Sequence, residues 1–133
     1  MVFIDSSGLI AAFDARDQRH EAARRAWEQL ARQRARLLTT ALVFAEIVTY
    51  LRRRAGWAVA RQVGETMLRS RVLEIVGIDA EALAAAWREF LRSGQPGLSL
   101  CDAHAFIIMR ERGVTRALTF DDDFVQAGFE RMP

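Results

Sequence analysis

The 133-residue chain contains no lysine: all 19 of its basic side chains are arginine. A Walker A phosphate loop needs its lysine and Schiff-base catalysis needs an amine, so neither chemistry is open to it. There is a single cysteine, Cys101. It cannot form an internal disulfide, which agrees with a reducing compartment. No apolar run approaches the ~18 residues needed to cross a membrane. The N-terminus lacks the basic-then-apolar layout of a secretory signal, so the expectation is a mature chain that begins at Met1 and stays in the cytoplasm. No repeat, low-complexity tract or linker interrupts the sequence.

What is present points to one domain over residues 1–133. Hydrophobic residues make up 51% of the chain, enough for a real core. The net charge is only +2. Arginine nevertheless suits bidentate phosphate contacts, which admits RNA or DNA as a partner.

Val2 to Asp5 reads as a buried strand and residues 7–14 as a short helix, with Leu9, Ile10 and Phe13 on one side. Asp17 is placed to cap a second helix running to Gln33, with Ala23, Ala26, Trp27 and Leu30 at helical spacing. Arg36 to Thr39 is a brief strand. Residues 41–54 and 57–69 form helices separated by Gly56, and residues 72–76 read as a strand by their β-branched content. Asp79 caps a helix to Arg92. Residues 93–97 are a loop, 100–112 a helix stopped by Gly113, 115–119 a strand, 121–126 a short helix and 129–132 an edge strand. Strands alternating with helices predict an α/β fold with a mostly parallel sheet of about five strands. Ligands in such sheets sit beyond the carboxyl ends of the strands.

Acids fall at those ends. Asp5 follows the first strand, where it is equally readable as a helix N-cap; Ser6 is an alternative cap. Glu46 lies on the flank of the apolar stripe Val43, Phe44, Ile47, Val48, Leu51, where an ordinary surface role competes. Asp102 stands in the first turn of a helix that is apolar nearly all round, hence buried, and Ser99-x-x-Asp102 reads as a capping box. Asp121, Asp122 and Asp123 follow the fourth strand, and Thr119-x-x-Asp122 is a second candidate cap. Each acid has a structural explanation alone. Together they would crowd one sheet edge, where carboxylates raise one another's pKa. A hard cation relieves that repulsion: Mg2+ takes a few carboxylates plus waters, and Mn2+ accepts similar ligands.

The stretches "VFIDSSGLIAAF", "ALVFAEIVTYL", "LSLCDAHAFIIMRERG" and "ALTFDDDFVQAGFERM", in this order and spacing, resemble those of PIN-domain ribonucleases. They are more closely similar to VapC-type toxins of toxin–antitoxin pairs. The resemblance runs from Val2 to Met132. It implies a metal-dependent endoribonuclease whose acidic site is Asp5, Glu46, Asp102 and Asp121, with Asp123 as an extra participant. It implies that Asp5, Asp102 and Asp121 hold Mg2+, or Mn2+, and that Ser6 and Thr119 are small polar neighbours of the acids. Cleavage would leave a 5′-phosphate and a 3′-hydroxyl. The implied partners are an RNA substrate, a cognate antitoxin and a second copy in a homodimer, with no membrane. The third Asp, Asp122, departs from the family pattern.

Other side chains read as structural. His104 is two residues past Asp102, about 200° around the helix, so both cannot face one metal. His20 belongs near the rim and Cys101 in the interior. Trp27, Trp57 and Trp87 read as core or dimer contacts. Arg52, Arg53 and Arg54 either complement the dipole at a helix C-terminus or form a phosphate-contacting rim. Val43, Phe44, Val48, Leu51, Trp57, Val59, Val63 and Met67 are more apolar surface than a small sheet needs, which predicts a partner face on helices 41–54 and 57–69. Three rival functions remain. A receiver domain shares an acidic Mg2+ pocket but relies on a lysine. A PIN-fold nuclease for DNA or RNA maturation would carry the same acids. A non-catalytic binding module is opposed by the complete acid set.

Overall fold

The computed structural model describes residues 1–133. Five short strands, β1 (Val2–Ile4), β2 (Leu37–Thr40), β3 (Leu73–Val76), β4 (Arg116–Leu118) and β5 (Glu130–Met132), form one sheet in the order β3-β2-β1-β4-β5. Every pairing is parallel. Parallel strands need crossovers, and helices supply them. These are α1 (Ser6–Phe13), α2 (His20–Arg32), α3 (Ala41–Arg54), α4 (Trp57–Arg69), α5 (Ala80–Arg92), α6 (Leu100–Glu111) and the short α7 (Asp122–Gln126).

β1 lies in the middle, pairing with β2 on one side and β4 on the other. Strand order reverses there, so a crevice opens at the carboxyl ends of β1 and β4. Asp5 and Thr119 stand at those two ends. The strands are apolar because helices cover them: Phe3, Leu38 and Leu118 are fully buried. Beneath the crevice α6 runs through the interior, with Phe106 packed edge-on to Phe124 at 4.9 Å between ring centroids.

Several expectations need correction. The second helix starts at His20, and Asp17 does not cap it. Asp17 instead accepts the Arg19 N–H in the preceding turn. Near the C-terminus the helix cap is Asp121, which accepts the Asp123 N–H, so the proposed Thr119–Asp122 cap does not form. Trp57 and Trp87 are 57% and 51% exposed, and neither is a core residue. Val43, Leu51, Val63 and Met67 are buried, because α3 and α4 pack on each other and on the core. The two helices therefore offer less free apolar surface than their sequences suggest. Leu83, Trp87 and Leu91 of α5 form a different exposed stripe, at i, i+4 and i+8.

Candidate active site

β1 ends in Asp5, and the chain turns at once into α1. Asp5 occupies the N-cap position, yet its side chain caps nothing. Its Oδ2 instead accepts hydrogen bonds from Ser7 Oγ at 2.6 Å and Thr119 Oγ1 at 2.8 Å. Each hydroxyl also accepts a backbone N–H, Ser7 from Phe120 and Thr119 from Asp121. The ends of β1 and β4 are thus bound through one carboxylate, which is 5% exposed. Its Oδ1 has no hydrogen-bond donor.

Ser7, not Ser6, is the serine that holds Asp5. The two adjacent serines are equivalent in composition, and only the phase of α1 separates them. Ser6 instead lines a groove beside Glu46.

α6 brings in Asp102 through a full capping box. Ser99 Oγ accepts the Asp102 N–H, and Asp102 Oδ2 accepts from Ser99 N and Ser99 Oγ. The structural and site readings of Asp102 are therefore both satisfied: one oxygen closes the cap, and the other is available. The turn after β4 adds Asp121 and Asp123. Ligand oxygens of Asp102, Asp121 and Asp123 lie within 4.8 Å of one another. Asp122 turns outward to pair with Arg131.

Gln95, in the loop before α6, was not singled out by its sequence context. Its Nε2 donates to the Asp123 backbone O at 3.0 Å and to Asp123 Oδ1 at 3.3 Å. No periodicity marks a loop residue, so only the fold could place it there. Glu46 is exposed at the rim. Burial first, then the charges of Glu46, Asp102 and Asp5, push the Cys101 thiol far above its ordinary value, keeping it protonated and unreactive. His104 is 1% exposed, and burial pushes its pKa down. It packs as a neutral interior residue and neither joins the acids nor faces a partner. His20 Nδ1 lies 2.9 Å from Ala11 O.

The chemistry of this donor set fits a hard divalent cation: three carboxylates converge, with a fourth beside them and no neighbouring ammonium or guanidinium in an ion pair with them. Crowding has an electrostatic cost at Asp102, whose pKa is pushed up to about 6. Burial is the main cause. The charges of Asp5 and Asp121 add to it, against the lowering effect of the Ser99 hydrogen bonds.

The sign follows from linkage. A folded pKa above the unfolded value of 3.8 means that the native state holds a proton the unfolded chain has released. The resulting stabilisation is complete below pH 3.8 and is lost as pH rises through about 6. In chelator, Asp102 should therefore make the fold about 1 kcal/mol more stable at pH 5 than at pH 7. Added Mg2+ or Mn2+ should remove that advantage by favouring the ionised carboxylate. Thermal melts across this window, with EDTA and with metal, provide the measurement. A metal-free stability that rose steadily from pH 5 to pH 7 would contradict the assignment.

Residues 2–130 match the family model described as PIN domain. The chain is 34% identical over 129 residues to a protein called 23S rRNA-specific endonuclease VapC20, from Mycobacterium tuberculosis strains CDC 1551 / Oshkosh and ATCC 25618 / H37Rv. That alignment covers 97% of this chain and 95% of the relative. The crystal structure of Mycobacterium tuberculosis VapC20, described as a Sarcin-Ricin loop cleaving toxin, superposes with a TM-score of 0.88 at 33% identity over 100% of both chains.

Proposed function

Because the chain belongs to the PIN-domain family, we propose that it is a metal-dependent endoribonuclease and the toxin of a toxin–antitoxin pair. The observation that carries this reading is the convergence of Asp102, Asp121 and Asp123 within 4.8 Å, beside Asp5. The target extended to it from its relative is 23S ribosomal RNA at the sarcin–ricin loop.

Asp102, Asp121 and Asp123, with Asp5 through its open oxygen, would hold Mg2+ or Mn2+. When bound, such a cation lowers the pKa of a water and offsets charge on the scissile phosphate. The chain's own residues do the rest. Ser7 and Thr119 keep Asp5 in one orientation, and Ser99 does the same for Asp102. Gln95 holds Asp123 by its carboxylate and its backbone. Glu46 and Asp123 are the acids available to orient the attacking water and accept its proton.

A cognate antitoxin would cover the apolar pocket between α1, α2 and α4, lined by Leu9, Phe13, Trp27, Val63 and Met67. A second copy would cover the exposed Leu83, Trp87 and Leu91 stripe.

The test is cleavage of ribosomes or 23S rRNA by purified protein, with Mg2+ or Mn2+ and with EDTA. Asp5→Asn keeps the shape of the side chain and removes its charge. Its cleavage rate should fall at least about 100-fold, the scale of losing one organised electrostatic group. Full activity in EDTA, or wild-type cleavage by a folded Asp5→Asn protein, would refute the mechanism.

A further inference from the structure

α3 carries an acid and two of its free arginines on one face. Glu46, Thr49, Tyr50, Arg53 and Arg54 are spaced i, i+3, i+4, i+7 and i+8 along it. With Ser6 and Ile10 of α1 they line a single groove. One end of that groove is the rim of the acidic pocket, where Ser6 follows Asp5 and Glu46 stands. The other is the C-terminal turn of α3. Arg53 lies seven positions after Glu46, about 10 Å along the helix axis.

The arginines at that end carry unneutralised charge. Ten other arginines are matched to carboxylates, as Arg24 is to Glu21 and Glu28, or Arg61 to Glu65. Arg52, Arg53 and Arg54 take part in no ion pair. Arg54 still has an acid nearby: Asp14, held below its ordinary value mainly by hydrogen bonds from Arg16, also feels the charge of Arg54. Arg52 lies outside the groove, in the neighbouring depression with Trp57 and Arg61. Arg53 combines a place in the groove with the absence of any ion pair.

A free guanidinium at a fixed distance from a cation-holding pocket is suited to a ligand with repeated negative charge. An RNA strand has that spacing of charges. When its scissile phosphate sits at the acids, the next phosphates must pass along a surface continuous with the pocket. We propose that Arg53, with the hydroxyls of Thr49 and Tyr50, forms a subsite for the phosphate of a nucleotide next to the scissile bond. The proposal rests on the ribonuclease reading above and adds the path the substrate takes. Guanidinium binds phosphate bidentately, which fixes the strand's direction as well as its position. Tyr50 is half-buried against the core, so the floor of the subsite is rigid. Arg53 acts on binding and leaves the acids untouched, so its removal should affect KM far more than kcat.

The experiment uses the full chain and an RNA fragment that the wild-type protein cleaves. Arg53→Gln should raise KM about tenfold, the scale of a charged hydrogen bond, with kcat within about twofold. The salt slope of binding should shrink by about one phosphate contact. Arg53→Lys should restore that slope, because it restores the charge. Arg52→Gln removes the same charge one residue away and should leave KM within about twofold. Equal effects from Arg53→Gln and Arg52→Gln, or a loss confined to kcat, would overturn the subsite while leaving the ribonuclease intact. A wild-type chain that neither bound nor cleaved RNA would overturn both.

Discussion

Asp102→Asn should melt several degrees higher than the wild-type protein at pH 7 in EDTA, and it should cleave no RNA. The two effects have one origin. At neutral pH the ionised Asp102 is held against burial and against the charges of Asp5 and Asp121, with a pKa of about 6. Relative to an unperturbed carboxylate, that represents about 2–3 kcal/mol of native-state destabilisation. Asparagine removes the charge and keeps the cap. Its amide oxygen can still accept from Ser99 N and Ser99 Oγ, as Asp102 Oδ2 does. Its amide hydrogens then meet the carboxylates of Asp121 and Asp123, which Asp102 could only repel. For a chain of this size, a gain of about 2 kcal/mol raises the melting temperature by several degrees. The same change removes a cation ligand, so stability rises as function ends. Calorimetry in EDTA and a cleavage assay in Mg2+ provide the two readings. A lower melting temperature would show that the site is not under electrostatic strain, and retained cleavage would show that Asp102 is not a required cation ligand.

The second large effect is steric. A Cβ added at Gly8 would lie 2.4 Å from Leu118 O and 2.8 Å from Leu118 C, both backbone atoms of β4. That carbonyl cannot swing away freely, because it accepts the Asp5 N–H at 3.1 Å. Helix propensity argues the other way: alanine is favoured over glycine inside a helix by about 1 kcal/mol. Overpacking against fixed backbone costs about 1–3 kcal/mol, and contacts this short place Gly8→Ala at the upper end. We therefore expect a net loss of about 2 kcal/mol, read as a lower denaturation midpoint with an unchanged slope. Cleavage should fall as well, since displacing α1 moves Ser7 away from Asp5 and Phe120. Wild-type stability would mean that α1 shifts without resistance.

The sequence was most informative where periodicity and caps act locally. The apolar spacing of residues 41–54 and 57–69 matches α3 and α4 residue for residue, and Ser99 and Asp102 form the expected box. Strand ends could be placed within a residue because the short runs between helical segments are bounded by turn and capping residues. What was not legible depends on neighbours distant in sequence. A helical wheel shows that α4 has an apolar face but not that Val63 and Met67 are covered while Trp57 is left exposed. Ser6 and Ser7 differ only in helix phase. Among the three consecutive aspartates, composition could not show that Asp122 would find Arg131 outside while Asp121 and Asp123 turned in. Gln95 reaches Asp123 across 28 residues of chain, a contact that no local signal encodes.

The tie between Asp5 and Thr119 joins residues separated by 114 positions. Asp121 and Asp123 follow β4, and β5 borders β4 on its other side. During synthesis, Asp5 is made 114 residues before Thr119. The acidic pocket therefore cannot close until β4 and the turn after it have been made. Pairing two such distant segments is also the slowest kind of contact for a chain to make. The pocket is therefore among the last features of the fold to form, and no part of the chain that lacks β4 carries it.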